Sequence, residues 1–162
     1  MTVVSNASPL INLARIGNLD LLRHLYSELV IPEAVWHQVV IEGAGQPGAA
    51  QVKASDRIKV QVAGDKRLVR VLRQELDAGE AEAIVLALER EADLLLMDER
   101  SGRETARHLG LRYAGLIGVL LEAKRRRLIP AIKPQLDILR DIAGFRIGAA
   151  LYLRVLRDQG EM

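Results

Sequence analysis

The chain has 162 residues, enough for one domain with a core of its own, and 49% apolar against 27% charged residues rules out a disordered segment. It has no cysteine, so disulfide scaffolds, zinc ribbons and thiol chemistry are excluded. Lys and Arg total 23 against 21 Asp and Glu, a formal +2, so overall charge says little about nucleic acid, and 3% aromatics excludes base stacking as a main binding mode.

No apolar run reaches the ~20 residues of a membrane span. Met1 to Asn6 lacks the charged start and apolar stretch of a signal peptide, so a cytoplasmic location is expected. Val3 and Val4 open a short buried strand ending near Asn6. Ser8-Pro9 reads as a helix start, with a hydroxyl cap followed by proline at the first helical position. Leu10, Leu13 and Ala14 make the apolar stripe of that helix, and Gly17 ends it. Leu19 to Tyr26 reads as a second helix and Leu29 to Ile31 as a strand. Pro32 begins a helix to about Ile41. Glu42 to Ala50, rich in Gly and Ala, reads as a loop too short to part domains.

Ile58 to Val62 alternates apolar and polar, as a strand at a sheet edge does. Lys66 to Gln74 and Ala78 to Glu91 are expected helices. Leu94 to Met97 is a continuous apolar run, suited to a central parallel strand. Arg103 to Leu109 is a helix closed by Gly110, Leu111 to Ala114 a strand, and Leu116 to Arg127 a helix. From Pro130 onward more helix is expected, broken around Gly144 to Gly148.

Alternating strands and helices imply a parallel sheet covered on both faces. Ligands of such sheets bind beyond the carboxyl ends of the strands. That rule selects Asn6 and Asp98. Asp98 follows four apolar residues, where the sheet holds a carboxylate at a cleft; capping the next helix is the plainer role. Asp77-Ala78-Gly79-Glu80 fits a capping box. The helical wheel sets Glu80 on the inward side near Ile84 and Ala87, and Glu82 and Glu89 on the solvated side. A carboxylate aimed inward needs hydrogen bonds, a cation or a metal. An amide at Asn6 can ligate through its oxygen or bond to turn backbone.

Arg100, Arg103 and Arg107 recur at i, i+3 and i+7 beside Asp98, a face suited to RNA phosphates or simply to water. Lys124 to Arg127 ends a helix, where cations suit the dipole. His24, His37 and His108 lie on separate helices and read as surface or structural residues. Trp36 reads as core or subunit interface.

Taken together, Asn6-Ala-Ser-Pro-Leu-Ile, Ala78-Gly-Glu-Ala-Glu-Ala-Ile and Leu94-Leu-Leu-Met-Asp98 resemble the successive motifs of PIN-domain ribonucleases. More narrowly, the chain resembles small prokaryotic PIN-like proteins related to the toxin halves of toxin–antitoxin pairs. Ile31-Pro32-Glu33-Ala34-Val35 and the stretch from Ile117 through Gly148 also fit. The resemblance implies a three-layer α/β/α fold with a central, mainly parallel sheet, as one domain over residues 1–162 with a helical extension from about 130. It implies Mg²⁺ or Mn²⁺ held by acidic residues and hydrolysis of single-stranded RNA. It implies a homodimer and a small antitoxin partner. The family's first acidic position falls on Asn6, its helix acid on Glu80 and its strand-end acid on Asp98, with Glu99 and Ser8 as nearby contributors. Asn6 departs from the pattern, since the family usually has Asp there. An amide brings one oxygen and no charge, which weakens a site for a hard cation. The competing expectation is a PIN-like module that binds nucleic acid or protein without cleaving.

Overall fold

A computed structural model describes residues 1–162. Five strands form one all-parallel sheet in the order β3-β2-β1-β4-β5. They are β1 (Val3–Ser5), β2 (Leu29–Pro32), β3 (Ile58–Gln61), β4 (Leu94–Leu96) and β5 (Tyr113–Ala114). β1 is central and pairs Val3 with Leu29 on one side and Ser5 with Leu96 on the other. β3 lies at the edge, as its alternation predicts.

The period-2 alternation of strand side chains divides the core in two. Val3, Leu29, Ile31 and Leu96 face one apolar cluster. It is completed by α1 (Ala7–Arg15), α2 (Leu21–Leu25), α8 (Leu116–Arg125), α9 (Lys133–Asp141) and α10 (Ala149–Asp158). Val4, Val30, Leu95 and Met97 face the other cluster, with α5 (Lys66–Leu72), α6 (Ala78–Glu89) and α7 (Arg100–His108). This is the expected three-layer α/β/α arrangement, with parallel strands joined by helical crossovers. No helix is long and apolar enough to cross a membrane.

Four local expectations need correction. Helix α1 starts at Ala7, so its cap position is Asn6 and Ser8 lies in the first turn. The stretch read as a loop to Ala50 ends earlier, because α4 (Ala49–Ala54) follows Gly48. Gly48 sits at φ +96, a left-handed conformation that glycine adopts without a Cβ penalty. The helix expected from Pro32 to Ile41 is α3 (Glu33–Trp36) running directly into a π-helical turn, His37–Glu42. Glu82, expected in solvent, is half-buried and accepts the Ala34 N–H at 3.2 Å. Glu89 is exposed as expected and accepts the Gly64 N–H at 2.7 Å. All three histidines are exposed, and Trp36 packs against the larger cluster.

The C-terminal helices are tied down by one carboxylate. Glu161 accepts the N–H of Ile132 at 2.9 Å and of Lys133 at 2.9 Å, where α9 begins, and pairs with Lys124 Nζ at 2.7 Å. Burial opposes its ionisation, but these three partners outweigh burial and hold the carboxyl below its ordinary range. Its stabilisation is therefore present above the unfolded-state pKa and lost as pH falls through the lowered folded value. Glu161→Ala leaves two helix-start N–H groups and a half-buried ammonium without their carboxylate. A loss of about 1–3 kcal/mol is expected, read as a lower urea midpoint with an unchanged slope.

Candidate active site at the carboxyl edge of the sheet

The carboxyl ends of β1 and β4 lie side by side, so the residues that follow them meet. The Asn6 N–H continues the ladder to the Leu96 carbonyl at 3.0 Å. Asn6 is 3% exposed, and its side chain does not cap α1. Its Nδ2 instead donates to Glu99 Oε2 at 3.0 Å and lies 3.7 Å from Met97 Sδ. Its Oδ1 is buried and has no partner.

Asp98 is pinned from both sides. Oδ1 accepts the Leu116 N–H at 2.8 Å, at the start of α8, and Oδ2 accepts from Ser8 Oγ at 3.5 Å. Asn12 Nδ2 in turn donates to Ser8 Oγ at 3.3 Å. Asp98 thus caps a helix, but it caps α8 and not the helix that directly follows it. Burial pushes its carboxyl up, against the opposing pull of the Leu116 N–H, Arg103 and Ser8.

Glu80 enters from α6. Both halves of the capping box are formed: Asp77 Oδ1 accepts the Glu80 N–H at 2.8 Å, and Glu80 Oε1 accepts the Asp77 N–H at 3.3 Å. The residue is nevertheless 6% exposed, and Oε2 has no partner. Burial, the Asp77 side chain and the nearby charges of Asp77 and Glu99 lift its carboxyl to about 7. Capping and inward aim coexist in this one side chain.

Two glycines make room for these groups. A Cβ on Gly79 would lie 3.1 Å from Gln38 Oε1, 3.2 Å from Asn6 Oδ1 and 3.5 Å from Asp77 Oδ1. A Cβ on Gly102 would press into the Met97 side chain and lie 3.3 Å from Glu80 Oε2. So three oxygens converge on the open side of Gly79, and α7 approaches Glu80 closely because residue 102 has no side chain.

Gln38 joins the site without having been expected there. It stands on the π-helical turn, and such turns often accompany functional sites. No sequence signal marks it, because a regular 3.6-residue wheel does not describe the widened turn on which it stands.

The three arginines of α7 do not act alike. Arg103 turns inward, donating from Nε to the Met97 carbonyl at 2.8 Å, with Nη2 3.9 Å from Asp98 Oδ1 and the guanidinium over the Tyr113 ring. Arg100 pairs with Glu104 at 3.3 Å on the surface, and Arg107 is exposed.

No three carboxylates or imidazoles converge as a metal cage. The donor set is instead two buried, unpartnered oxygens, Asn6 Oδ1 and Glu80 Oε2, with the Glu99 carboxylate against Asn6, while Asp98 faces Ser8, Arg103 and the start of α8. Unpartnered buried oxygens are costly and call for a cation or water. The residues therefore fit a divalent ion, with less charge than three converging carboxylates would supply. A family model described as a PIN domain matches residues 2–161. No curated protein matches the chain.

Proposed function

The chain belongs to the PIN-domain family, a nuclease-type fold, and from that premise we propose that it hydrolyses single-stranded RNA with Mg²⁺ or Mn²⁺, at a rate weakened by Asn6. The observation that carries this reading is the pair of buried oxygens without partners at the carboxyl edge of the sheet. Glu80 Oε2 and Asn6 Oδ1 would hold the ion, with Asp98 Oδ2 as the third oxygen. A bound divalent ion supplies an activated water and steadies charge on the phosphoryl oxygens.

The protein's own groups do the rest. Glu99 holds the Asn6 amide by its NH₂ end, which leaves Oδ1 free to ligate. Ser8 and the Leu116 N–H fix the Asp98 carboxylate, and Arg103 offsets its charge. Glu80, lifted to about 7, holds a proton near neutral pH until a cation displaces it. Arg100 and Arg107 lie on the same helix and offer phosphate contacts at the rim. The finer reading is a cytoplasmic toxin of a toxin–antitoxin pair, a homodimer with a small antitoxin partner, and rests on the family resemblance alone. We read residues 1–162 as a single domain, because Leu136, Leu139, Val155 and Leu156 of α9 and α10 enter the same cluster as β1.

A second reading keeps the fold without cleavage. It is favoured by two amides, Asn6 and Gln38, where the oxygens converge. Calorimetric titration with Mn²⁺ separates the two. Under the first reading the wild type binds Mn²⁺, and Glu80→Gln and Asp98→Asn each weaken binding about 10-fold or more. RNA binding with no Mn²⁺ heat and no cleavage would leave the non-catalytic module.

A further inference from the structure

We propose that helix α5 is a docking rail for the phosphodiester backbone of single-stranded RNA, carrying the strand toward the acidic end of the sheet. Lys66 and Arg70 of the helix and Arg73 at its C-terminal cap stand at i, i+4 and i+7, one stripe, and line a depression of about 430 Å³ together with Val69. Arg67 adds a fourth exposed cation on an adjacent side.

None of these four makes a salt bridge, a condition shared by Arg107 on α7 and by Arg154 and Arg157 on α10, whereas many other surface cations are matched. Glu122 pairs with Arg125 and Arg126, Asp137 with Lys133 and Arg140, and Asp20 with Arg23. The one carboxylate at the start of α5, Asp65, is spent on the Leu68 N–H at 3.0 Å. Like charges at i and i+4 weaken a helix. The stripe therefore has an electrostatic reason to take an anion from outside the protein.

Its position suits a strand leaving the site. α5 packs on α6, and Arg73 is four residues before Asp77, so its backbone lies within roughly 14 Å of the cap that holds Glu80. The stripe runs back from there for roughly 10 Å, with one cation about every helical turn. The sugar–phosphate backbone is the repeating anion that matches such a row, and with so few aromatics the grip must be on phosphates. Of the α7 arginines, Arg103 is turned inward and Arg100 is held by Glu104, which leaves Arg107 exposed and unpaired on that helix.

This inference rests on the reading of the site as one that handles RNA, and its test separates the two. Binding of fluorescein-labelled oligo(U) is measured by anisotropy across a salt series, with chelator present so that no strand is cut. The triple variant Lys66→Gln, Arg70→Gln, Arg73→Gln should bind more weakly, with a log–log salt slope shallower by about 2, near 0.7 for each phosphate no longer neutralised. A control triple, Arg146→Gln, Arg154→Gln, Arg157→Gln, removes the same charge elsewhere and should keep the wild-type slope. Glutamine is a good helix former, and thermal melts of both triples should match the wild type. Equal losses in the two triples, or an unchanged slope in the first, overturn the rail while leaving RNA as substrate. A wild type that does not bind oligo(U) at all overturns both.

Discussion

Changing Asn6 to Asp and Gln38 to Glu together should raise Mn²⁺ affinity by ~10- to 100-fold and raise RNA cleavage with it. Hard-cation sites gain strength with the number of ligand charges. Both amide oxygens already lie within reach of the Gly79 Cα side, at 3.2 and 3.1 Å from where its Cβ would be. The double change thus adds charge without moving an oxygen. The same variant should lose stability when no metal is bound. Asn6 Nδ2 donates to Glu99 Oε2, and an aspartate there would both break that bond and repel the partner. A loss of about 2 kcal/mol without Mn²⁺, restored on its addition, is the expected pattern. Calorimetry and urea unfolding read the two halves. Unchanged Mn²⁺ affinity would show that these oxygens do not ligate.

The second large effect concerns pH. The Glu80 carboxyl is lifted from 4.5 to about 7. The folded state therefore holds a proton that the unfolded chain releases, and stability falls as pH rises between those two values. The fall corresponds to about 3 kcal/mol from this group. Asp98 is shifted in the same direction by burial and adds to the decline. Glu80→Gln keeps the shape and can still accept the Asp77 N–H, but it cannot ionise. At about pH 8 the variant should be more stable than the wild type by about 3 kcal/mol, with the gap closing toward pH 4. Mn²⁺ should narrow the gap at high pH by stabilising only the wild type. Parallel pH profiles for the two proteins would remove Glu80 as the titrating group.

Much of this is legible in the residues because it depends on short-range rules. The all-parallel sheet follows from apolar runs alternating with helical stripes. The inward aim of Glu80 follows from its angle to Ile84 and Ala87. The place of Asn6 and Asp98 follows from their position after buried strands. What escapes depends on geometry that a 3.6-residue wheel does not contain. Gln38 lies on a π-helical turn, where the widened spiral changes which side chains share a face. Ser8 reads as the cap because a hydroxyl before proline is a strong local signal. The chain instead places Asn6 at that position and turns Ser8 to Asp98, a partner 90 residues away. Glu82 reads as solvated because its partner, the Ala34 N–H, belongs to another helix.

The central place of β1 also governs the order in which the site can assemble. Its pairing with β2 joins Val3 to Leu29, whereas its pairing with β4 joins Val3 to Leu94. Closing the longer loop costs more chain entropy, by about 1 kcal/mol on the logarithmic scaling. The seam between β1 and β4 is the one that Asn6 and Glu99 span. A folding chain therefore acquires its β1–β2 half at lower cost, and the two sides of the candidate site meet only when the distant crossover shuts.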